Sequence, residues 1–269
     1  MYIQAVGLPA LPTCWEGAVH SVFQNSCNIQ AADGPLITVH RFSFGMLPRS
    51  LFVPELDTWG LTPGDPVQAD GEEVRLGRLR LSWAGRVETV STAVPRLEER
   101  PEHWPRAWQM LTQRQRQMED TAVTRLLYHR LREALSNLWT ALKQNEMEWI
   151  QSACGACVGL GQGLTPSGDD MLLGTMAALH MYAPELAPRL AQGIRPFLGR
   201  TNDISRSYLE LVLDGYAATP VIRAAGSLVG GGTGAVELLL NVGHSSGCDI
   251  LEGILTAVRQ IGMREKGWN

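Results

Sequence analysis

Asp169 and Asp170 follow directly on a glycine-rich run, Gly159-Leu160-Gly161-Gln162-Gly163-Leu164-Thr165-Pro166-Ser167-Gly168, and precede an apolar stretch that begins Met171-Leu172-Leu173-Gly174. Carboxylates of this kind can act as a general base or hold an ammonium or amide group. The glycines at alternate positions permit positive φ and let a ligand come close to the main chain. The pattern predicts a loop feeding a helix. Ser167 with Asp170 three residues later reads as a capping box, and Thr165 with Pro166 offers a start one turn earlier. A helix N-terminus presents unbonded N–H groups and the positive end of the helix dipole, which favour a phosphate or carboxylate. Gly161, Gly163, Thr165, Ser167 and Gly168 are therefore candidate anion-binding residues. Asp169 and Asp170 oppose an anion, so they either bind a cation, take a proton or point away. A divalent metal bridging the two is one form of the first alternative; no other cofactor is expected.

A second copy of the device lies near the C-terminus, where Gly243-His244-Ser245-Ser246-Gly247-Cys248-Asp249 leads into another apolar helical pattern. Ser167, Gly168, Asp170, Leu172, Gly174 and Ala178 correspond in order to Ser246, Gly247, Asp249, Leu251, Gly253 and Ala257. Each helix thus carries small residues four apart, on one face. The expectation is that the two helices cross at these faces and present Asp169, Asp170, His244, Ser245 and Asp249 to one shared pocket; the alternative is two unrelated, well-capped helices. His244, just ahead of a helix start, should be a neutral imidazole able to donate to a carbonyl. Ser167, Ser245 and Ser246 can bind oxygens or serve only as caps. Ser205 and Ser207 follow Gly199-Arg200-Thr201-Asn202-Asp203 in a further helical segment and lie on different faces, so at most one looks into a given pocket.

The elements that must position these residues fall into two groups. From about Ala18 to Val94 the signal is β: Ala18 to Phe23, Leu36 to Phe42, Leu51 to Val53, and an alternating strand from Val74 to Leu81, punctuated by Asp33-Gly34-Pro35, Pro63-Gly64-Asp65-Pro66 and Asp70-Gly71. His20 and His40 read as ordinary strand residues. The polar, proline-broken stretch from Pro95 to Pro105 marks a boundary. Beyond it Val123, Leu127, Leu131, Leu135, Leu138 and Leu142 lay one apolar stripe along a helix of about six turns. Arg114, Arg116, Arg125, Arg130 and Arg132 read as a solvated face paired with Glu119 and Glu133. Pro184 and Pro188 mark a break, Gly230 to Gly234 a loop, and no strand is expected after about residue 104. The expected fold class is α+β, with a small β-rich domain over residues 1–100 and a mostly helical domain over 101–269 that carries the site.

Composition narrows the function. With 269 residues, 45% of them hydrophobic, the chain can build a real core. A net charge of −4 and no long basic run argue against nucleic acid. The N-terminus lacks a basic n-region and is broken by Pro9, and glycine, Ser152, Gln162 and Pro166 interrupt the uncharged span from Trp149 to Gly168, so neither a secretory signal nor a membrane span is expected. Cys14, Cys27, Cys154, Cys157 and Cys248 form no disulfide framework, and with no secretory signal expected the expected compartment is the reducing cytoplasm. Cys154-Gly155-Ala156-Cys157 has redox spacing but sits at a helix end with no second ligand pair. There is no G-x-x-x-x-G-K-[ST], H-E-x-x-H or G-x-S-x-G motif.

Gly163 to Asp170, Gly243 to Gly247 with Asp249, Ser205-Arg206-Ser207-Tyr208-Leu209 with Gly215-Tyr216, Leu36 to Arg41 and Arg75 to Arg78 together resemble the family of the AllH-type subunit of oxamate carbamoyltransferase. The resemblance spans most of the chain and is weakest between about 100 and 150; Gln162 departs from it, standing where the family often has proline. It implies a cytoplasmic subunit acting with two other polypeptides in late purine (allantoin) nitrogen catabolism, exchanging a carbamoyl group between phosphate and oxamate. On that reading the Gly161 to Gly168 loop binds the phosphoryl or carboxylate end, His244 polarises the carbamoyl carbonyl, and Asp169 or Asp170 handles the amine. Two alternatives stay open: an accessory subunit that only docks partners, and an enzyme for a different small anionic acyl substrate. Homo-oligomerisation is left open.

Overall fold

A computed structural model describes residues 1–9, 11–32, 34–118 and 121–264. Asp33 of the expected turn and Glu119 of the expected ion pairs lie outside the described residues. The chain divides into two compact units: Met1–Ala93 with Tyr216–Thr219, and Val94–Gly215 with the chain from Pro220 onward.

The first unit holds β1 (Tyr2–Gly7), β2 (Cys14–Phe23), β3 (Ser26–Ala31), β4 (Leu36–His40), β5 (Ser50–Phe52), β6 (Pro66–Asp70), β7 (Glu73–Leu76) and β8 (Leu79–Val90). They form a closed barrel in the order β1-β5-β4-β3-β2-β6-β7-β8. The expectation of a small β-rich domain in an α+β chain with segregated halves is therefore corrected: the strands close on themselves. Closure comes from β1 pairing with β8 in parallel, Tyr2 opposite Ser82 and Val6 opposite Thr89. Pairing between the first and last strands leaves no local trace, yet it removes the open sheet edges that a β-rich layer would expose. The alternating stretch read as one strand from Val74 to Leu81 is also two. Gly77, at φ 51°, turns the chain so that Leu76 lies opposite Leu79 in a tight hairpin, which keeps the alternation in phase on both arms.

Ile3, Ile29, Ile37, Val39, Leu51, Leu76 and Leu81 fill the barrel core. β4 is buried along its whole length, including His40. The Phe42 N–H donates to His40 Nδ1 at 3.2 Å, which leaves Nε2 protonated toward Ser50 Oγ at 3.3 Å. Burial lowers the His40 pKa to about 4. This histidine is a neutral core residue.

The second unit is helical among the described residues: α1 (Trp104–Gln115), α2 (Ala122–Gln144), α3 (Met147–Cys157), α4 (Ser167–Tyr182), α5 (Ala187–Ile194), a 3₁₀ turn (Arg195–Arg200), α6 (Asp203–Leu213), α7 (Thr219–Gly230), α8 (Gly234–Leu240) and α9 (Ser246–Arg264). The leucine stripe of α2 is buried at Leu131, Leu135, Leu138 and Leu142, but Val123 at its start is exposed. Thr121 caps α2 by accepting from the Thr124 N–H, and Asn145 ends it in the left-handed conformation. No helix among the described residues is long and apolar enough to cross a membrane.

α4 and α9 form the centre of this unit. Their inner turns are buried on almost every side, as a helix apolar all round must be. They touch backbone to backbone: a Cβ on Gly174 would overlap the carbonyl oxygen of Ile250, and one on Gly253 that of Met171. The overlaps are reciprocal, each glycine meeting the carbonyl three residues ahead of the other. Gly168 and Gly247 repeat the pattern at the helix starts, where a Cβ would strike the carbonyl oxygens of Cys157 and Leu239. The small residues thus set the approach of the helices and the seating of both N-termini.

Candidate active site at two crossed helix starts

The loop ahead of α4 takes its shape from Gly159, Gly161 and Gly163, at φ 75°, 136° and 91°. Its tip, Gln162 to Leu164, is exposed, whereas Pro166 to Asp170 are buried. α4 begins at Ser167 with Pro166 at the cap and no side-chain capping bond. The expected capping box is thereby corrected. The Gly168 N–H donates to Leu160 O at 2.8 Å, and those of Asp169 and Asp170 to Pro166 O at 2.9 and 3.1 Å. These bonds satisfy three of the first-turn donors locally and free the side chains for other work.

The freed hydroxyls turn to the opposite helix. Thr165 Oγ1 and Ser246 Oγ lie 2.8 Å apart, bridging the two helix starts. The same two hydroxyls flank Asp170 and favour its ionised form, against the larger effect of burial. Ser167 and Ser245 play the corresponding part for Asp249. Ser167 and Ser246, the first residues of the two helices, therefore each serve the aspartate of the other helix, while Ser245 serves that of its own. Asp170 and Asp249, 3% and 0% exposed, are close enough to repel one another.

The three aspartates differ in their partners. Asp169 accepts from the Gly159 N–H at 2.8 Å, from Ser205 Oγ at 2.6 Å and from the Thr201 hydroxyl. Both its oxygens are taken, and it ties the glycine loop to the start of α6. Asp249 Oδ1 accepts from Tyr128 Oη at 2.7 Å. Its pKa is raised to about 6, chiefly by burial, with the hydroxyls of Tyr128, Ser167 and Ser245 acting in the other direction. Asp170 is pushed well above the usual carboxylate range by burial, with Asp249 and Asp169 adding to the effect. Oδ2 of Asp170 and Oδ2 of Asp249 are both buried with no hydrogen-bond partner. Orphaned buried carboxylate oxygens are costly and invite protonation or a ligand.

Thr165, Ser167, Asp170, Ser245, Ser246 and Asp249 are thus gathered at one place by the α4/α9 crossing, with Asp169 and Ser205 joined just behind them. Ser207 is buried two residues further along α6, on a different face from Ser205. His244 is exposed in the turn ahead of α9. Among the described residues, no group of three or more His, Cys, Asp or Glu side chains is arranged to hold a metal ion. Cys154 and Cys157 are buried, free thiols on α3, and burial raises both pKa values, that of Cys157 to about 12.

Three contacts were not expected from the sequence. Tyr128 on α2 reaches Asp249, and Arg132, one turn on, binds Glu252 with Nε to Oε1 at 2.6 Å and Nη2 to Oε2 at 3.2 Å. Gln115 donates to the same Glu252 at 2.7 Å. Arg132 lies on the solvated face as expected, but its partner is not on its own helix: its guanidinium, 5.6 Å from the Tyr128 ring, pairs across to α9. The available signal was spacing. Tyr128 and Arg132 are four apart, Asp249 and Glu252 three apart, so each pair occupies one face of its helix.

A barrel followed by a helical unit whose two central helices start in matching Ser-Gly-x-Asp sequences defines a class of two-unit protein built on an internal echo. Two family models match the chain: the AllH family N-terminal domain over residues 7–89 and the oxamate carbamoyltransferase subunit AllH over residues 157–258. The chain belongs to the AllH family. The second match encloses both helix starts, while Tyr128 and Arg132 fall between the matched spans. The family description, a subunit, implies partner polypeptides. No solved structure matches the chain.

Proposed function

We propose that the chain contributes the crossed helix starts of α4 and α9 as a carbamoyl-transfer site, moving a carbamoyl group between carbamoyl phosphate and a small amide carboxylate such as oxamate. The observation that carries this reading is that the residues matched to the oxamate carbamoyltransferase subunit, 157–258, include every member of the buried Asp170/Asp249 cluster except Tyr128. The chemistry agrees. Carbamoyl phosphate and oxamate are small anions bearing amide and carbonyl groups. The exposed tip of the glycine loop offers main-chain donors for the phosphoryl or carboxylate end, and His244 offers a ring N–H for the carbamoyl carbonyl. Asp170 and Asp249, rather than the fully bonded Asp169, keep the free carboxyl oxygens that proton transfer to and from the ligand calls for. The enzyme works with two other polypeptides in the cytoplasm, in purine nitrogen catabolism; free buried thiols suit that compartment.

Calorimetric titration with carbamoyl phosphate, with inorganic phosphate as control, tests the reading on the chain alone and on the assembled enzyme. Saturable binding that is lost when Ser167 and His244 are changed to Ala supports it. No binding to either form of the protein removes it. Docking without chemistry is the second reading, favoured by Val123, Leu126 and Leu164, which are 69%, 53% and 53% exposed; it predicts assembly that fails when these are made polar, with no small-ligand binding.

A further inference from the structure

Asp170 and Asp249 occupy equivalent positions on α4 and α9, and those helices cross with no side chain between their backbones at Gly174 and Gly253. Each aspartate is buried, and each keeps one oxygen, Oδ2, without a partner. Their other contacts are hydroxyls: Thr165 and Ser246 for Asp170; Tyr128, Ser167 and Ser245 for Asp249. Of the charged and titratable groups nearby, the two other acids have partners of their own, and Arg114, whose Nε is buried without a hydrogen-bond partner, acts on Cys248. Asp169 is bonded to Gly159, Thr201 and Ser205, and Glu252 is paired with Arg132. Cys248 is a buried thiol raised to about 11 by burial, with Asp249 adding to it. Each orphaned oxygen lacks a donor and the two carboxyls are close enough to repel one another, so a single proton held between them would answer both, because a carboxyl O–H can donate to a carboxylate.

We propose that Asp170 and Asp249 form one buried acid–base unit, a carboxyl and a carboxylate holding a single proton across the α4/α9 crossing and reaching the ligand through the hydroxyls at the two helix starts. The unit rests on the carbamoyl-transfer reading of this site. Asp249 is the ionised member, because Tyr128 donates to it at 2.7 Å in addition to two serines. Asp170, with two hydroxyls alone, carries the proton. In transfer to an amide nitrogen the N–C bond forms as the C–O bond to phosphate breaks. The nitrogen gives up one proton, which passes through Ser167 or Ser245 to Asp249. The departing phosphate oxygen takes one, delivered from Asp170 through the Thr165/Ser246 bridge. The unit ends with its proton on the other aspartate, and return of that proton across the shared bond restores the starting state. A pair titrating this way behaves as a unit with two macroscopic steps.

The test is an NMR titration of the ligand-free full chain labelled at the aspartate carboxyl carbons, from acid to alkaline pH. The expected result is two coupled resonances that exchange one proton near neutral pH, reduced in Asp170→Asn to a single step for Asp249 at lower pH. Tyr128→Phe moves the proton toward Asp249, and both resonances shift. Independent titration of the two groups in the ordinary carboxylate range overturns the unit, and wild type alone suffices to show it. In the assembled enzyme, Asp170→Asn should lower kcat at least about a hundredfold and remove one limb of the pH profile, with KM for carbamoyl phosphate changed less than about threefold. Binding of carbamoyl phosphate without coupled titration overturns the acid–base unit and leaves the transfer reading standing. Coupled titration in a protein that binds no carbamoyl phosphate supports the shared proton and overturns the transfer reading.

Discussion

The starts of α4 and α9 carry the same Ser-Gly-x-Asp sequence, yet the variable position does opposite things in the two. In α4 it is Asp169, whose oxygens collect three donors and anchor the glycine loop and the start of α6. In α9 it is Cys248, a buried thiol. Four residues later α4 has Leu173 where α9 has Glu252, the partner of Arg132 and Gln115. The positions held in common are those the crossing requires: the glycines that let backbones touch, and the serines and aspartates that reach across. The positions that differ tie each helix to its own surroundings, α4 to the loop and α6, α9 to α1 and α2. A two-fold echo at the crossing thus carries two different supports.

The comparison breaks most readily at the glycines. Gly174→Ala and Gly253→Ala each push a methyl into a carbonyl oxygen that belongs to a packed helix and cannot yield. Each should cost about 3 kcal/mol or more, and the two variants should lower the thermal midpoint to the same extent as one another. A large difference between the two would show that the crossing is not reciprocal. Next in size is Asp169→Ala, which strands the Gly159 N–H and the Thr201 and Ser205 hydroxyls. It should lose about 3 kcal/mol in chemical denaturation, against about 1 kcal/mol for the matching Cys248→Ala. Equal losses would erase the distinction between an anchoring and a filling residue.

A pH dependence sharpens the contrast further. The pKa of Asp249, about 6 in the fold, stands above its ordinary value of 3.8, so the folded chain holds this proton more tightly than the unfolded one. The stabilisation is complete below the unfolded value and is lost as pH rises through about 6, about 3 kcal/mol in all. Denaturation of Asp249→Asn across that window should therefore show it gaining on wild type as pH rises, with no such gain in Cys248→Ala. The smallest effect is expected at Arg132. Its side chain is 54% exposed against 3% for Glu252, so solvent weakens the pair while Gln115 still serves the carboxylate. Arg132→Gln should cost about 1 kcal/mol, read as a shift in denaturation midpoint, and Leu173→Gln on α4 would reproduce nothing of it.

Much of the helical unit was legible in the chain. The leucine stripe of α2 predicts a helix of the length observed, because burial on one face imposes a period that sequence displays. The register of the two Ser-Gly-x-Asp copies predicts a crossing at small residues, and Gly174 and Gly253 meet there. The capping box was misread because Ser167 and Asp170 have cap spacing whether their side chains turn to their own helix or to its neighbour. Val123 belongs to the stripe by spacing but lies exposed, since periodicity reports which face is apolar and not where its cover ends. Val74 to Leu81 kept one alternation through two strands because a two-residue turn preserves phase.

What the sequence by itself determined was local and repeated: where strands give way to helices, which loop is shaped by glycine, and which small residues allow two backbones to touch. These follow from steric limits and burial periods that act over a few residues. The tertiary structure alone decided the rest. It closed the strands through β1 and β8, some eighty residues apart. It assigned Asp169 to the scaffold and left Asp170 and Asp249 with an unpaired oxygen each, and it brought Tyr128 to Asp249 from 121 positions away. A carboxylate's partners and desolvation are set by whatever the fold packs around it, and no property of the residue or its sequence neighbours fixes them.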